Sequence, residues 1–476
     1  MTGERTTRPA VQDPPRTTRP GVQDPPRTTQ DGVAAGPPDR SRPVGDDRAP
    51  APGTGWAVVR LAVALALIVA AFLAAGLGAL LLFVVALVVF VVLHELGHFL
   101  AAKWSRMKVT EYFIGFGPRL WSVRRGETEY GIKPILVGAY VKIPGMTNLE
   151  EVDPTDEPRT YRQQPFHRRI IVASAGSIMH YVMAFLLALA AVAAFGVPST
   201  TAAKVVVAGF VRWPGHERTA AQAAGMAAGD RILSIDGRTV TSTTALSADV
   251  QATGGRPARV VVTSDGRTRT LVVRPQAGHR TKDGGEALGP GPHGRTDWLV
   301  GIEVVEHPLF VSVGPLGVLS AAGDDVANVT TATVRGIVHV FSPGGLTSLL
   351  DQVTSPAAAR KAAATPASSN RVMSVVGIGR VATQAERQGV YYFLSILIAL
   401  NIVLGLMNML PMLPLDGGHV AIAIYERVRT RRGRPYYQAD ASKLLPVAYA
   451  FMAVLVVIIG AAVFLDIAHP IANPFG

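Results

Sequence analysis

His94, Glu95 and His98 form an H-E-x-x-H pattern within a long apolar stretch. On a helix, residues four apart share a face, so the two imidazoles can bind one Zn²⁺ ion together. Glu95 lies beside them and can take a proton from the attacking water. The alternative is two buried structural histidines and a surface glutamate. Three ionisable side chains at membrane depth are costly unless they pair or bind an ion, so the pattern favours a zinc site.

A third protein ligand is expected, because catalytic zinc sites usually have three and leave one position for water. The chain has no cysteine, so this ligand must be a histidine or a carboxylate. Asp416 is the candidate, since it follows the apolar stretch 391–413 and is flanked by two prolines and two glycines. Such a broken helix is tolerated at membrane depth where it lines a protein cavity. An ordinary helix-ending turn is the alternative for this segment.

The elements that must position these residues are membrane-spanning helices. Of the 476 residues, 49% are hydrophobic and only 17% are charged, which is too little polar surface for a typical soluble enzyme. The length and apolar character of five stretches predict five spans. They lie near 57–75, 79–102, 169–195, 391–413 and 444–466. One tilted helix with an interfacial extension is the alternative for the first two.

The distribution of lysine and arginine predicts how the chain is oriented in the membrane. The loops 103–169 and 427–443 are both rich in these residues, and such loops stay on the cytoplasmic side. Five spans then place residues 196–390 and the C-terminus outside. Asp416 lies at the inner end of one span, and His94 and His98 lie at the inner end of another. The three residues are therefore expected at similar depth, which supports Asp416 as the third ligand.

A family resemblance rests on H-E-L-G-H and on the distant pattern N-x-x-P-x-x-P-L-D-G-G that starts at Asn408. Together they resemble the site-2 protease family of intramembrane zinc metalloproteases, and most closely its bacterial members with one PDZ domain, of the actinobacterial kind. Residues 115–143 are similar to the β-hairpin loop that follows the first catalytic helix of that family. The likeness covers most of 79–466.

The resemblance implies a polytopic α-helical membrane protein with about five transmembrane helices, three of which form the catalytic core. A membrane-associated β-hairpin and an inserted extracytoplasmic PDZ-like α+β domain complete the expected fold. The implied activity is that of a zinc metalloendopeptidase that cleaves within or near transmembrane segments. His94, His98 and Asp416 would be the zinc ligands of one Zn²⁺ per chain, and Glu95 the catalytic base.

Two polar residues of the core helices are candidates for contact with the substrate or the oxyanion. Asn408 matches the family motif. His180 stands where the family commonly has asparagine in a G-P-x-x-N pattern, and a hydrogen bond to a neighbouring helix is the alternative for it. Asn401, on the same helix face as Asn408, is expected to form such an interhelical hydrogen bond.

The chain divides into five predicted regions. Residues 1–55 form a Pro- and Arg-rich tail with an 11-residue repeat that cannot bury a core. Residues 56–195 contain the first spans, the H-E-x-x-H helix, the β-hairpin loop and the second core helix. Residues 196–280 contain G-D-x-I-x-x-I-D-G, which predicts a strand and hairpin and resembles a PDZ domain. Residues 281–390 are linker and surface helices, and 391–476 hold the third core helix and the last span.

The expected partners are the lipid bilayer, single-pass transmembrane substrates and peptide termini bound at the PDZ-like domain. The protein is expected to be a multi-pass protein of the cell membrane with its catalytic site toward the cytoplasm. The resemblance points to membrane-anchored anti-sigma factors as substrates. The net charge of +12 does not predict nucleic-acid binding, because the tail is nearly neutral. The alternatives are a PDZ-bearing scaffold with a degenerate metal site and a membrane protease that cuts soluble or prenylated tails.

Overall fold

A computed structural model describes residues 54–146, 150–213, 215–264, 266–280, 286–289, 296–364, 371–430 and 437–471. Nearly all of the predicted tail therefore lies outside the described residues. In chain order the helices are α1 (Thr54–Ala74), α2 (Gly78–Trp104), α3 (Phe166–Phe195), α4 (Ala220–Ala223), α5 (Thr243–Ala252), α6 (Pro315–Val340), α7 (Pro343–Thr354), α8 (Pro356–Ala364), α9 (Val375–Gln388), α10 (Val390–Asn408), α11 (Asp416–Arg429) and α12 (Leu445–Ala468).

Four of these helices, α2, α3, α10 and α12, are long and apolar enough to cross a membrane. Their 19 to 30 residues correspond to about 28 to 45 Å at 1.5 Å per residue, which suits a hydrocarbon core of about 30 Å. The fold is therefore that of a polytopic membrane protein. The predicted break before the second stretch is confirmed, because α1 ends at Ala74 and α2 begins at Gly78. The apolar part of α1, Val59–Ala74, is shorter, so the fifth span stays a prediction.

The loop between α2 and α3 folds into a four-stranded sheet rather than a simple hairpin. Its strands are β1 (Glu111–Phe116), β2 (Trp121–Arg125), β3 (Thr128–Ile132) and β4 (Ile135–Lys142), in the order β2-β3-β1-β4. A tight turn at Gly126, which has a φ of 64°, joins β2 to β3. β1 pairs in parallel with β3 and antiparallel with β4. β4 is thus an edge strand, and it packs against α2.

α3 lies at the centre of the helical region, in contact with α2, α6, α10 and α11. One apolar cluster joins α2, α3, α9 and α10, and it includes Phe83, Met183 and Phe393. Close packing of these side chains helps to hold the four helices together, as is usual where apolar residues meet between membrane helices. α11 leaves the end of α10 and packs back against α3, which brings the segment after α10 toward α2.

A second sheet lies between α3 and α6 in the chain. Its order is β13-β5-β6-β8-β9, with β7 beside β6. Its strands are β5 (Val197–Phe210), β6 (Arg231–Ile235), β7 (Arg238–Thr239), β8 (Ala258–Ser264), β9 (Arg267–Val273) and β13 (Ile302–Val311). A separate small sheet contains β10 (Gln276–Arg280), β11 (Glu286–Leu288) and β12 (Asp297–Leu299).

The strand and hairpin predicted from G-D-x-I-x-x-I-D-G are confirmed. β6 and β7 pair across a turn made by Asp236 and Gly237, both with positive φ. Helices α4 and α5 cover this sheet, and its core contains Val205, Ile232 and Val262. The strands and helices of this region share one apolar core, and the sheet extends past the predicted boundary at 280, because β13 pairs with β5. The predicted segment 281–390 is therefore more than linker and surface helices. The PDZ assignment of residues 196–280 stays a prediction.

α6 packs along the middle of two core helices. Its buried Ala322 meets Ala184 and Ala188 of α3 and Ile398 and Ile402 of α10. The three alanines allow the backbones of α6 and α3 to approach closely. α6 therefore supports the face of α3 and α10 that lies away from α2.

Candidate metal centre

The H-E-x-x-H residues lie in the C-terminal third of α2, where the helical spacing places both imidazoles on one face. His94 and His98 are buried, and their Nε2 atoms lie 3.1 Å apart. The Nδ1 atom of His98 lies 2.8 Å from the carbonyl oxygen of Val172 on α3. If Nδ1 donates to that carbonyl, the Nε2 lone pair of His98 is free for a metal ion, as in most metal-binding histidines.

Asp416 is the first residue of α11 and follows a chain segment with a cis Leu413–Pro414 bond. Its Oδ2 atom lies 3.4 Å from His94 Nε2 and 3.2 Å from His98 Nε2. The ligand atoms of these three residues all lie within 4.8 Å of one another. The structure thus brings together residues that are more than 300 positions apart in the chain.

The donor set fits Zn²⁺. Two imidazole nitrogens and one carboxylate oxygen are typical zinc ligands, and three protein ligands leave one coordination position open. Asp416 Oδ2 is buried and has no hydrogen-bond partner among the described residues. A buried carboxylate oxygen usually has one, and a bound cation would satisfy it.

Two glycines allow the histidines to sit this close to α3. A Cβ atom added at Gly176 would lie 2.3 Å from His94 Cε1 and 2.4 Å from His98 Nε2. A Cβ atom at Gly97 would lie 2.7 Å from the Ala175 carbonyl oxygen. The sequence analysis did not single out either glycine. In the sequence, Gly97 lies inside H-E-L-G-H and Gly176 lies four residues before His180. Both lie at the point where α2 and α3 cross.

The carboxylate of Glu95 lies on the side of the metal-binding group that faces the sheet after α2. The backbone N–H of Val141, on edge strand β4, lies near its carboxylate. Tyr112 of the neighbouring strand β1 donates to the Val92 carbonyl oxygen at 3.0 Å, which ties the sheet to α2. The candidate base therefore lies between the metal-binding group and the sheet edge.

His180 and Asn401 are both buried, and His180 lies next to the metal-binding group. His180 Nδ1 is 3.0 Å from Asn401 Oδ1, which confirms the predicted interhelical hydrogen bond of Asn401. The ring centroids of His180 and His94 are 5.0 Å apart. Asn408, the other candidate for substrate contact, is the last residue of α10 and precedes the segment that carries Asp416.

A buried ion pair holds α11 against α3. Arg169 Nη1 donates to Glu426 Oε2 at 2.5 Å, and both side chains are about 95% buried. The guanidinium of Arg169 also lies 4.9 Å from the ring centroid of Tyr161. Because Asp416 begins the helix that contains Glu426, this pair helps to fix the position of α11.

Apolar spans around a His, His, Asp donor set define a membrane-bound zinc metalloprotease. Comparison with known sequences agrees: the profile of Peptidase family M50 matches residues 82–455. The chain belongs to this family, which comprises the site-2 proteases.

Individual relatives show the same relationship. Zinc metalloprotease Rip1 of Mycobacterium tuberculosis is 32% identical over 412 residues, which cover 82% of this chain and 97% of Rip1. Rip1 of Mycolicibacterium smegmatis is 29% identical with the same coverage. A putative zinc metalloprotease of Clostridium acetobutylicum is 25% identical over 82% of the chain and 97% of its own length. The predicted enzyme class and zinc cofactor are thereby confirmed.

Proposed function

We propose that this chain is an intramembrane protease that hydrolyses peptide bonds within or near transmembrane segments of single-pass membrane proteins. His94, His98 and Asp416 would hold the zinc ion, and Glu95 would be the catalytic base. The observation that carries this proposal is the convergence of three donor atoms within 4.8 Å of one another at the ends of apolar helices, beside a glutamate.

The bound zinc ion would act as a Lewis acid that activates water and polarises the scissile carbonyl. Glu95 would take the proton from the attacking water on its carboxylate and later pass it to the leaving amine. Asn408 and His180 would contact the substrate near the reacting carbonyl. Water exclusion around the buried histidines would strengthen each of these interactions.

The sheet edge at β4 offers a way to align the substrate. A transmembrane helix hides its carbonyls in its own hydrogen bonds, so the substrate must unwind before it can be cleaved. An unwound segment can add to an exposed sheet edge through backbone hydrogen bonds. Val141 of β4 lies near Glu95, so a strand added along β4 would run past the candidate base.

The domain between α3 and α6 would act as a filter. We propose that it is a PDZ-like domain on the extracytoplasmic side, that it binds peptide termini, and that it restricts access by substrates that have not been trimmed. Five spans and a catalytic site toward the cytoplasm complete the proposed topology. Membrane-anchored anti-sigma factors are the proposed substrate class, on the family resemblance alone.

Reconstitution in lipid vesicles with a single-pass substrate tests the proposed mechanism. The wild type is expected to cleave within or near the apolar segment, and Glu95→Ala and Asp416→Ala to abolish cleavage. Only Asp416→Ala should also reduce the zinc content, since Glu95 is not a ligand. Unchanged cleavage in either variant would refute the assigned roles.

A further inference from the structure

His180 adjoins the metal-binding group without belonging to it. Its ring lies 5.0 Å from that of His94, and its exposed fraction is only 2%. The described residues whose ligand atoms gather within 4.8 Å are His94, His98 and Asp416, and His180 is not among them. The position of His180 beside the metal-binding group therefore needs an explanation other than a role as a fourth ligand.

Asn401 determines which nitrogen of His180 carries the proton. One end of the Asn401 amide lies 3.0 Å from the Leu397 carbonyl oxygen, and only the NH₂ end can donate to a carbonyl. The amide oxygen must then face His180 Nδ1, which lies 3.0 Å away. Because that oxygen can only accept, Nδ1 must donate its proton. The neutral ring is therefore held with a lone pair on Nε2.

The direction of this lone pair follows from the shape of the ring. The two nitrogens of an imidazole point in nearly opposite directions, so Nε2 is directed away from α10. In this tautomer His180 is a hydrogen-bond acceptor and has no proton at Nε2 to offer to an oxyanion. A substrate that unwinds at membrane depth exposes backbone N–H groups, which are costly unless they meet an acceptor.

We propose that His180 accepts a hydrogen bond from a backbone N–H of the unwound substrate, and that Asn401 is the positioning residue that keeps Nε2 free for this bond. The inference rests on the proposed function and narrows the role of His180 in it. Oxyanion stabilisation is then left to Asn408. Asparagine, the residue that the family pattern has at this position, also offers an acceptor oxygen.

Two variants of His180 test the acceptor role. His180→Phe keeps a ring of similar size without a nitrogen, and it is expected to lower kcat/KM by about tenfold because a substrate N–H loses its acceptor. His180→Asn restores an acceptor and should recover most of that loss. Zinc content should equal that of the wild type in both variants. A His180→Phe enzyme as active as the wild type would overturn the proposal.

A series of modified substrate peptides identifies which backbone N–H group donates to His180. Synthetic transmembrane peptides carry an ester in place of one backbone amide at each position flanking the cleavage site, and their binding is measured on the Glu95→Ala background. Adding His180→Phe to this background should weaken binding of the all-amide peptide. At one position, the ester should weaken binding about tenfold in the protein that has His180. The same ester should cause no further loss of binding in the protein that also carries His180→Phe. Equal ester costs in both proteins at every position would refute the bond.

The tautomer is tested without any substrate. Nitrogen NMR of ¹⁵N-histidine-labelled, metal-free protein, with His180 assigned by its loss in His180→Phe, should show a protonated Nδ1 and an unprotonated Nε2. Asn401→Leu should produce a mixture of tautomers. A protonated Nε2 in the wild type would overturn the inference. Because the tautomer and binding measurements need no turnover, they remain decisive even if the wild type cleaves none of the substrates.

Discussion

Asp416 and Asp466 are two carboxylates enclosed by the helices of this chain, and their surroundings differ. Both oxygens of Asp466, on α12, are satisfied: Oδ1 accepts from Arg371 at 3.0 Å, and Oδ2 accepts from the backbone and side chain of Ser374 at 2.7 and 2.8 Å. Asp416 Oδ2 faces two imidazole nitrogens and has no hydrogen bond in the described part of the chain.

The difference separates a structural carboxylate from a functional one. Asp466 accepts hydrogen bonds from Ser374, the N-cap residue of α9, and pairs with an arginine. Its charge is therefore neutralised within the protein, and it ties α12 to α9. Asp416 lies among atoms that are themselves potential metal ligands. A carboxylate oxygen that lacks a hydrogen bond among potential metal ligands fits a cation site, whereas a carboxylate with both oxygens bonded holds helices together.

The largest effect on the metal-binding group is expected from a substitution on α3, which packs against the two histidines. Gly176→Ala would place a Cβ atom 2.3 Å from His94 Cε1, so the imidazole must move away from the position at which it can bind zinc. We expect a clear loss of bound zinc, measured as metal per chain, and a fall in protease activity of about 100-fold, since a displacement of about 1 Å can cost that much.

The control for Gly176→Ala is Gly460→Ala in α12, where an added Cβ atom would meet nothing within 4 Å. It should leave zinc content and activity unchanged. Wild-type zinc content in the Gly176→Ala protein would mean that this close approach of α3 is not needed to position the histidines.

A smaller effect on zinc binding and activity is expected from a substitution at Asp466, which should change stability instead. Asp466→Asn leaves Arg371 buried and without its counter-ion, and removal of one partner of a buried pair costs about 3 kcal/mol or more in the free energy of unfolding. Zinc content should not change, because α12 does not contribute to the metal-binding group. Equilibrium unfolding and metal analysis of the same preparation would measure both quantities.

The double variant Arg371→Met with Asp466→Leu sharpens this comparison. It leaves no uncompensated charge, so it should recover part of the lost stability. If Asp466→Asn lost zinc at unchanged stability, the distinction between the two clusters would be wrong.

The same comparison explains what the sequence could predict. His94 and His98 are four residues apart on one helix, and a long apolar run indicates a span, so both features are local. Asp416 could be predicted because, in the predicted topology, the span before it and the span with His94 and His98 end at similar depth. The pairs Arg371–Asp466 and Arg169–Glu426 could not, since their members lie 95 and 257 residues apart and nothing near either residue identifies its partner.

The sheet after α2 shows another limit. The family resemblance predicts a hairpin in this loop, and β2 and β3 do form one. The parallel pairing of β1 with β3 joins Tyr112 to Tyr130, and no local pattern indicates it, because β2 lies between these strands in the chain. The role of Gly176 depends likewise on how α3 crosses α2.

The smallest expected effect is at a third carboxylate, Glu127, which is fully bonded but partly exposed to solvent. Arg159 donates to both of its oxygens at 2.7 and 2.9 Å, and Lys103 donates at 2.6 Å. The hydrogen bonds from Arg159, together with Lys103, lower the pKa of Glu127 from 4.5 to about 2. Solvent screening limits such a surface pair to about 1 kcal/mol or less.

The pH dependence of Glu127→Gln gives the sign of this contribution. The folded-state pKa lies below the unfolded value, so the pair stabilises the fold above about pH 4.5 and loses that contribution as the pH falls toward 2. The difference in unfolding free energy between wild type and Glu127→Gln should therefore be constant near neutral pH and shrink in acid. Glu151→Gln, at an exposed position, serves as the control and should show a smaller difference. A difference that grew on acidification would contradict the lowered pKa of Glu127.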